Sequence, residues 1–179
     1  KFGYSFCRDT RAYVSYTYDI SDIYNIEDDA SSSVEDMEGK HTTSSVKTSL
    51  VYDSRDSFFN PTEGSEHRIT FQYAGIGGDI AFTKSVGETG WYIPFLGDTV
   101  LFFHAKAGYV WESSKGKLPD YELFYLGGMN SVRGFDWQGI HCNEGDDEMG
   151  GHKFVQGNVE LLIPLAKKAG LMGVLFFDT

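Results

Sequence analysis

Three groupings of residues in this sequence have types and spacings that could carry chemistry. Asp53 and Asp56 flank Arg55 and invite a general acid–base reading, one carboxyl donating a proton while the other accepts. Their separation puts them on opposite sides of an extended strand, so they cannot address one substrate atom together, and ordering a turn is the expected role. His141 and Cys142 lie near Glu144, Asp146, Asp147 and Glu148, all metal-ligand types. An adjacent His and Cys do not converge easily on one ion, however, and the spacing fits no standard metal site. The run Asp22, Glu27, Asp28, Asp29, Glu35, Asp36 and Glu38, with no Lys or Arg before Lys40, could attract a divalent ion but reads first as a solvated face. There is no nucleotide loop, no His-Glu-x-x-His and no serine in a nucleophile elbow. No catalytic residue, metal or cofactor is therefore expected, and the chain does not read as an enzyme. What remains is Arg133, set among Gly127, Gly128 and Gly134, which taken alone reads as an exposed loop arginine.

The elements that must position these residues are strands. Across 179 residues, 15 Lys and Arg stand against 26 Asp and Glu, a formal net charge of -11. Phosphate recognition wants a basic face, and no dense basic cluster exists, so nucleic acid is excluded as a partner. No stretch approaches the roughly 18 consecutive apolar residues of a transmembrane helix. A β-barrel span is compatible with the composition, because its segments of about ten residues are apolar only at every second position. Aromatic residues at 16% and 21 Gly against 4 Pro fit strands with tight turns better than long helices. Cys7 and Cys142 are far apart in the chain; they could form one disulfide in an oxidising compartment or be two unrelated thiols, and the reading without a structural bridge comes first.

Period-two alternation recurs along the chain. Tyr13, Ser15, Thr17 and Asp19 oppose Ala12, Val14, Tyr16 and Tyr18; Val46, Thr48, Leu50 and Tyr52 oppose Lys47, Ser49, Val51 and Asp53; Ile69, Phe71 and Tyr73 oppose Arg68, Thr70 and Gln72. Leu101, Phe103, Ala105, Ala107, Tyr109 and Trp111 share a face opposite Phe102, His104, Lys106 and Gly108. Gln156, Asn158 and Glu160 share one face of a later strand, and Met172, Val174, Phe176 and Asp178 one face of the last. Residues 80–93 form a long strand candidate of unclear phase, with Lys84 and Glu88 on one side and Trp91 and Ile93 on the other. Short connections at Asn60-Pro61-Thr62-Glu63-Gly64, at 94–98 and at 164–170 contrast with long ones at about 20–42 and 113–151. That contrast is expected of an antiparallel barrel with tight periplasmic turns and large external loops.

The second long segment contains Tyr125-Leu126-Gly127-Gly128-Met129-Asn130-Ser131-Val132-Arg133-Gly134-Phe135. This resembles the Val-Arg-Gly-Phe loop signature of the BamA-like outer-membrane insertases, the bacterial surface-antigen family. Further landmarks match in order: Asp53-Ser54-Arg55-Asp56 with Phe58-Phe59-Asn60-Pro61-Thr62-Glu63-Gly64; Leu118-Pro119; and Glu160 to Pro164 followed by Phe176-Phe177-Asp178.

The resemblance implies an all-β, antiparallel transmembrane β-barrel in the bacterial outer membrane. Residues 1–179 would be a C-terminal barrel-domain fragment without periplasmic domains, an incomplete barrel of about eight strands from a parent of about sixteen. A complete eight-stranded barrel is the competing expectation; both termini look cut, and an open edge in hydrocarbon is costly, which favours the fragment. The implied function is folding and insertion of β-barrel proteins into the outer membrane. Unfolded outer-membrane proteins, accessory lipoproteins recruited by periplasmic domains, and lipid would be the partners. Alternatives are a two-partner or autotransporter-type secretion barrel and a passive porin or adhesin. The family's loop folds back into the lumen, where Arg133 would reach Glu160 and Asp178 on the inward face and lock the loop. Gly127, Gly128 and Gly134 would allow its sharp turns, with Met129, Val132 and Phe135 packing it. Asp53, Arg55, Asp56, Pro61 and Gly64 would order the barrel rim.

Overall fold

The computed structural model describes residues 1–25, 37–113, 116–144, 147–166 and 169–179. Glu27, Asp28, Asp29, Glu35, Asp36 and Asp146 lie outside the described residues. Ten strands are found among them: β1 (Phe2–Ser5), β2 (Thr10–Ile23), β3 (Gly39–Asp53), β4 (Gly64–Gly78), β5 (Phe82–Pro94), β6 (Val100–Glu112), β7 (Cys142–Glu144), β8 (Asp147–Met149), β9 (Lys153–Ala166) and β10 (Leu171–Asp178). Eight of them form a single antiparallel meander in the order β1-β2-β3-β4-β5-β6-β9-β10, while β7 and β8 make a small hairpin within the long connection from β6 to β9. The sheet is open, since β1 and β10 are its two edges. It is therefore an incomplete barrel.

The alternation read from the sequence becomes two faces. Along β6, Phe103, Tyr109 and Trp111 are exposed while Phe102, His104 and Lys106 are half-buried. Val14, Tyr16, Tyr18, Leu50, Ile69, Phe71 and Trp91 extend the exposed apolar face across β2 to β5. A soluble surface would not carry so wide an apolar band, whereas hydrocarbon accepts it. The other face is polar, and β5 resolves its phase by putting Lys84 and Glu88 on that inner side, where they meet Glu122 and His104.

Two expectations about the connections need correction. The long segment expected at 20–42 is paired at both of its ends: the β2–β3 ladder continues through Ile20↔Thr42, Ser21↔His41, Asp22↔Lys40 and Ile23↔Gly39. Backbone pairing persists there without the apolar alternation that marks a membrane-facing strand. The β4–β5 connection, at the same end as the long loops, is only residues 79–81. The strand expected from Ile80 begins at Phe82, because Ile80 instead makes a parallel bridge to Lys117 of the long loop. The segment 113–151 is a folded loop: it holds a 3-10 turn at Asp120–Glu122, the β7–β8 hairpin, and bridges Phe124↔Gly151 and Leu126↔Ile140.

The best-buried apolar cluster lies where this loop covers the wall. Met37, Ala74, Ile80, Phe82, Val110 and Leu123 pack together, with Leu118, Phe124 and Tyr125 against them. Phe124 and Phe154 pack across Gly108, where an added Cβ would collide with both rings. Burial of these side chains at about 25 cal/mol per Å² of apolar area gives the loop a packed base before any ion pair is counted.

Candidate functional site

From that base the loop descends to a tip at residues 127–139. The bridge Leu126↔Ile140 closes it, and backbone bonds from Gly128 N to the Phe135 carbonyl, Ser131 N to Gly128, and Gly139 N to Asp136 shape it. Gly127, Gly128 and Gly134 all have positive φ, at 106°, 91° and 91°. A side chain at 127 would in addition strike the Asp136 carbonyl, so that position requires glycine on two counts.

The tip presents Arg133 to the wall. Its backbone N–H and Nε both donate to Asp178 Oδ2, at 2.9 and 2.7 Å, and Nη2 donates to Asp178 Oδ1 at 2.6 Å. The same Nη2 lies 2.6 Å from Glu160 Oε1. The guanidinium also stacks over Phe176, 3.7 Å from the ring centre. The β9–β10 register explains how one fork reaches all three: Glu160 pairs with Phe176, and Asn158 pairs with Asp178, so these side chains form two adjacent inward rows. The Asp178 side chain is only 3% exposed, against 22% for Arg133 and 18% for Glu160. The bond to Asp178, and secondarily Glu160, holds the Arg133 proton more tightly than is usual even for a guanidinium.

A polar chain that sequence reading missed supports this contact. Asn158 Nδ2 donates to Asp178 Oδ1 (2.9 Å) and to the Ser131 carbonyl (3.0 Å), joining wall and loop. Gln156 Nε2 donates to Asn158 Oδ1, and the Ser131 hydroxyl donates to Gln156 Oε1. On the far side His104 Nδ1 is 2.9 Å from Asn158 Oδ1, and its Nε2 is 3.0 Å from Glu88 Oε1. Gln156 and Asn158 are both buried. The available signal was their shared inward phase with Glu160; their partners follow from cross-strand register.

Val132 is buried at the tip, whereas Phe135 and Met129 are exposed, a correction to the expectation that they pack the loop. The turn at Gly134 swings the Phe135 ring outward and leaves its carbonyl inside to accept from Gly128. Farther up, Lys84 on β5 donates to the Glu122 carbonyl at 2.8 Å and meets the Glu122 carboxylate at 3.2 Å, lying over the Phe124 ring.

Asp53, Arg55 and Asp56 form a separate cluster at the short-turn end. Arg55 makes a two-pronged contact with Asp53, Nε to Oδ1 at 2.8 Å and Nη2 to Oδ2 at 2.7 Å, and Nη2 also lies 3.0 Å from Glu66 Oε2. Asp56 turns away and accepts from Thr62 N, Thr62 Oγ1 and Glu63 N, closing the turn that holds Pro61. The Thr62 hydroxyl and these amides hold its carboxyl down at about 2. The two carboxylates thus serve different partners and do not converge on a reacting atom. Gly64 has φ +102° and passes against the Ser54 carbonyl, leaving no room for a side chain. His141 and Cys142 join no metal-competent cluster among the described residues, and both cysteines are free and exposed.

The Omp85 superfamily domain matches residues 1–179. The outer membrane protein assembly factor BamA of Nitratidesulfovibrio vulgaris is 32% identical over 167 residues, which are 91% of this chain and 21% of that protein. The sorting and assembly machinery component 50 homolog A of Xenopus laevis is 32% identical over 145 residues, 80% of this chain and 31% of that protein. The chain thus spans between a fifth and a third of these relatives. Its fold is that of the BamA crystal structure from Haemophilus ducreyi lacking POTRA domains 1-3, with a TM-score of 0.78 at 20% identity over 98% of this chain and 39% of that one.

Proposed function

This chain belongs to the Omp85 superfamily, and from that membership we propose that it is the part of an outer-membrane assembly barrel that holds the long loop 113–151 inside the lumen while client β-barrels fold and insert. The observation that carries this reading is the Arg133 fork, which ties the loop tip to Asp178 on β10 and to Glu160 on β9. The strand ladder closes and stabilises a barrel wall, so the tether contributes the placement of the loop and not the integrity of the wall. A contact to a half-buried carboxylate pair offers position more than net stability, because desolvation offsets much of the attraction. Arg133 is therefore read as a positioning residue: it sets where the loop lies against the inner wall beside β9 and β10. Asp53, Arg55, Asp56, Pro61 and Gly64 order the rim beneath it.

The chemistry required is non-covalent. Clients would be unfolded outer-membrane proteins, with accessory lipoproteins acting through periplasmic domains of the full-length protein and with lipid as the surrounding solvent. The test is reconstitution of the full-length protein in liposomes with an unfolded client barrel. The expected result is a yield of folded client above that of protein-free liposomes. Ion conductance without any gain in client folding would favour a passive pore and overturn the proposal.

A further inference from the structure

The lock at Arg133 is built on a hydrogen-bond chain whose far end is His104, and the directions of the bonds along that chain are fixed. Asn158 faces two oxygens that can only accept, the Ser131 carbonyl and the Asp178 carboxylate, so its NH₂ must point toward them. Its Oδ1 therefore faces Gln156 Nε2 and His104 Nδ1 and must accept from both. His104 Nε2 in turn faces the Glu88 carboxylate, another acceptor. Both ring nitrogens thus meet acceptors, which only an imidazolium satisfies, since the neutral ring has a single N–H.

We propose that His104 is a positioning residue for the loop lock, spanning Glu88 and Asn158 as an imidazolium and thereby holding the Asn158 amide in the orientation that binds Asp178 and Ser131. The inference rests on the reading of Arg133 as the lock. A neutral His104 has two choices, and both are unfavourable. If it keeps the proton on Nδ1, its Nε2 lone pair faces the Glu88 carboxylate. If it keeps the proton on Nε2, its Nδ1 lone pair faces Asn158 Oδ1, and relief comes from turning the amide over. The turned amide directs Oδ1 at the Asp178 carboxylate and the Ser131 carbonyl, and its NH₂ at the Gln156 amide donor. Loss of one proton at His104 therefore weakens the wall-to-loop bonds two strands away, through side chains in one inward row: His104 opposite Asn158, and Asn158 opposite Asp178.

Other charged groups around this row set its background. From β4 these are Glu66 and Arg68, from β5 Lys84 and Glu88, from β6 Lys106, from β9 Glu160, from β10 Asp178 and from the loop Arg133, with Tyr92 nearby on β5. Among side-chain types, imidazole is the one that ordinarily changes charge between about pH 5 and about pH 8.

The experiment is limited proteolysis of loop 113–151 in the full-length protein in liposomes, from about pH 5 to about pH 8. Each rate is divided by that of Arg133→Ala at the same pH, which removes the protease's own pH dependence. The expected wild-type protection over Arg133→Ala falls as pH rises, by about tenfold, equivalent to about 1.4 kcal/mol. His104→Gln should give lower protection that no longer varies with pH. Glu88→Gln keeps the ring but removes its anionic acceptor, and should move the fall in protection to lower pH. Its readout stands if His104→Gln fails to fold. A wild-type advantage that is constant with pH, or a His104→Gln variant with the wild-type profile, leaves the lock standing and overturns the role of His104. Equal protection in wild type and Arg133→Ala at every pH overturns the lock, and this inference with it.

Discussion

Arg133 and Asp178 are 45 residues apart in sequence and meet through three hydrogen bonds, one from the backbone N–H and two from the guanidinium. The backbone bond fixes the tip of the loop and the side-chain pair fixes its rotation, so a single carboxylate on β10 specifies both where the tip sits and which way it faces. Glu160 receives only one prong of the same guanidinium.

That asymmetry gives an ordering among variants. Asp178→Asn should loosen the loop more than Glu160→Gln, because Asp178 accepts from Arg133 three times and from Asn158 once and is the more buried. The cost should be about 2–4 kcal/mol of loop docking for Asp178→Asn and about 1 kcal/mol for Glu160→Gln. Hydrogen exchange of the amides at 127–139 measures it; equal effects of the two variants would contradict the asymmetric fork.

A second tether acts on the first arm of the loop. Lys84→Met removes the bonds to Glu122 while keeping the apolar stem over Phe124. Exchange should rise at 120–124, by about 1–2 kcal/mol of local stability, and stay unchanged at 131–133. Loss of protection at both places together would show that the loop moves as one unit.

Strand phase was legible in the sequence wherever lipid and lumen faces alternate cleanly, as along Leu101 to Trp111. It was unclear in β5, where Thr83, Ser85 and Gly87 occupy the outer face and give little hydrophobic contrast with Lys84 and Glu88. The long segments were drawn too wide because Ile20–Ile23 and Gly39–Thr42 continue a ladder through backbone bonds, which leave no periodic mark. Arg133, Glu160 and Asp178 were reachable from the loop motif and strand phase. His104, Asn158, Gln156 and Ser131 were not, because which inward side chains touch is decided by the register of three strands, and register is not written in any one of them.

The rim turn should be acid-labile in a defined window. Asp56 is held at about 2 in the folded turn, below its ordinary value, so it binds its proton less readily folded than unfolded. Its contribution is therefore fully present above about pH 4 and lost as pH falls through about 2. The group is exposed, so the effect should be local, visible as faster exchange at Thr62 and Glu63. Asp56→Asn should remove most of the pH dependence; a variant with the wild-type acid profile would assign the effect to another group.

Gly64→Ala should impair folding more than an ordinary turn substitution, since it meets both an unfavourable φ and the Ser54 backbone. A cost of about 2–3 kcal/mol or more is expected, read as lost heat-resistant mobility of the folded barrel. Gly97, also at positive φ but with open space around it, is the control, and Gly97→Ala should cost about 1 kcal/mol.

The most direct measurement is the yield of folded client barrel per folded copy of the full-length protein in liposomes, compared among wild type, Arg133→Lys and Arg133→Ala, with proteolysis of loop 113–151 followed in the same samples. Lys can place a charge but not a fork between Asp178 and Glu160, so yield and loop protection should fall together in the order wild type, Lys, Ala, while the barrel itself remains folded. Undiminished client yield in an Arg133→Ala protein whose loop is demonstrably released would contradict the claim that the tethered loop serves assembly.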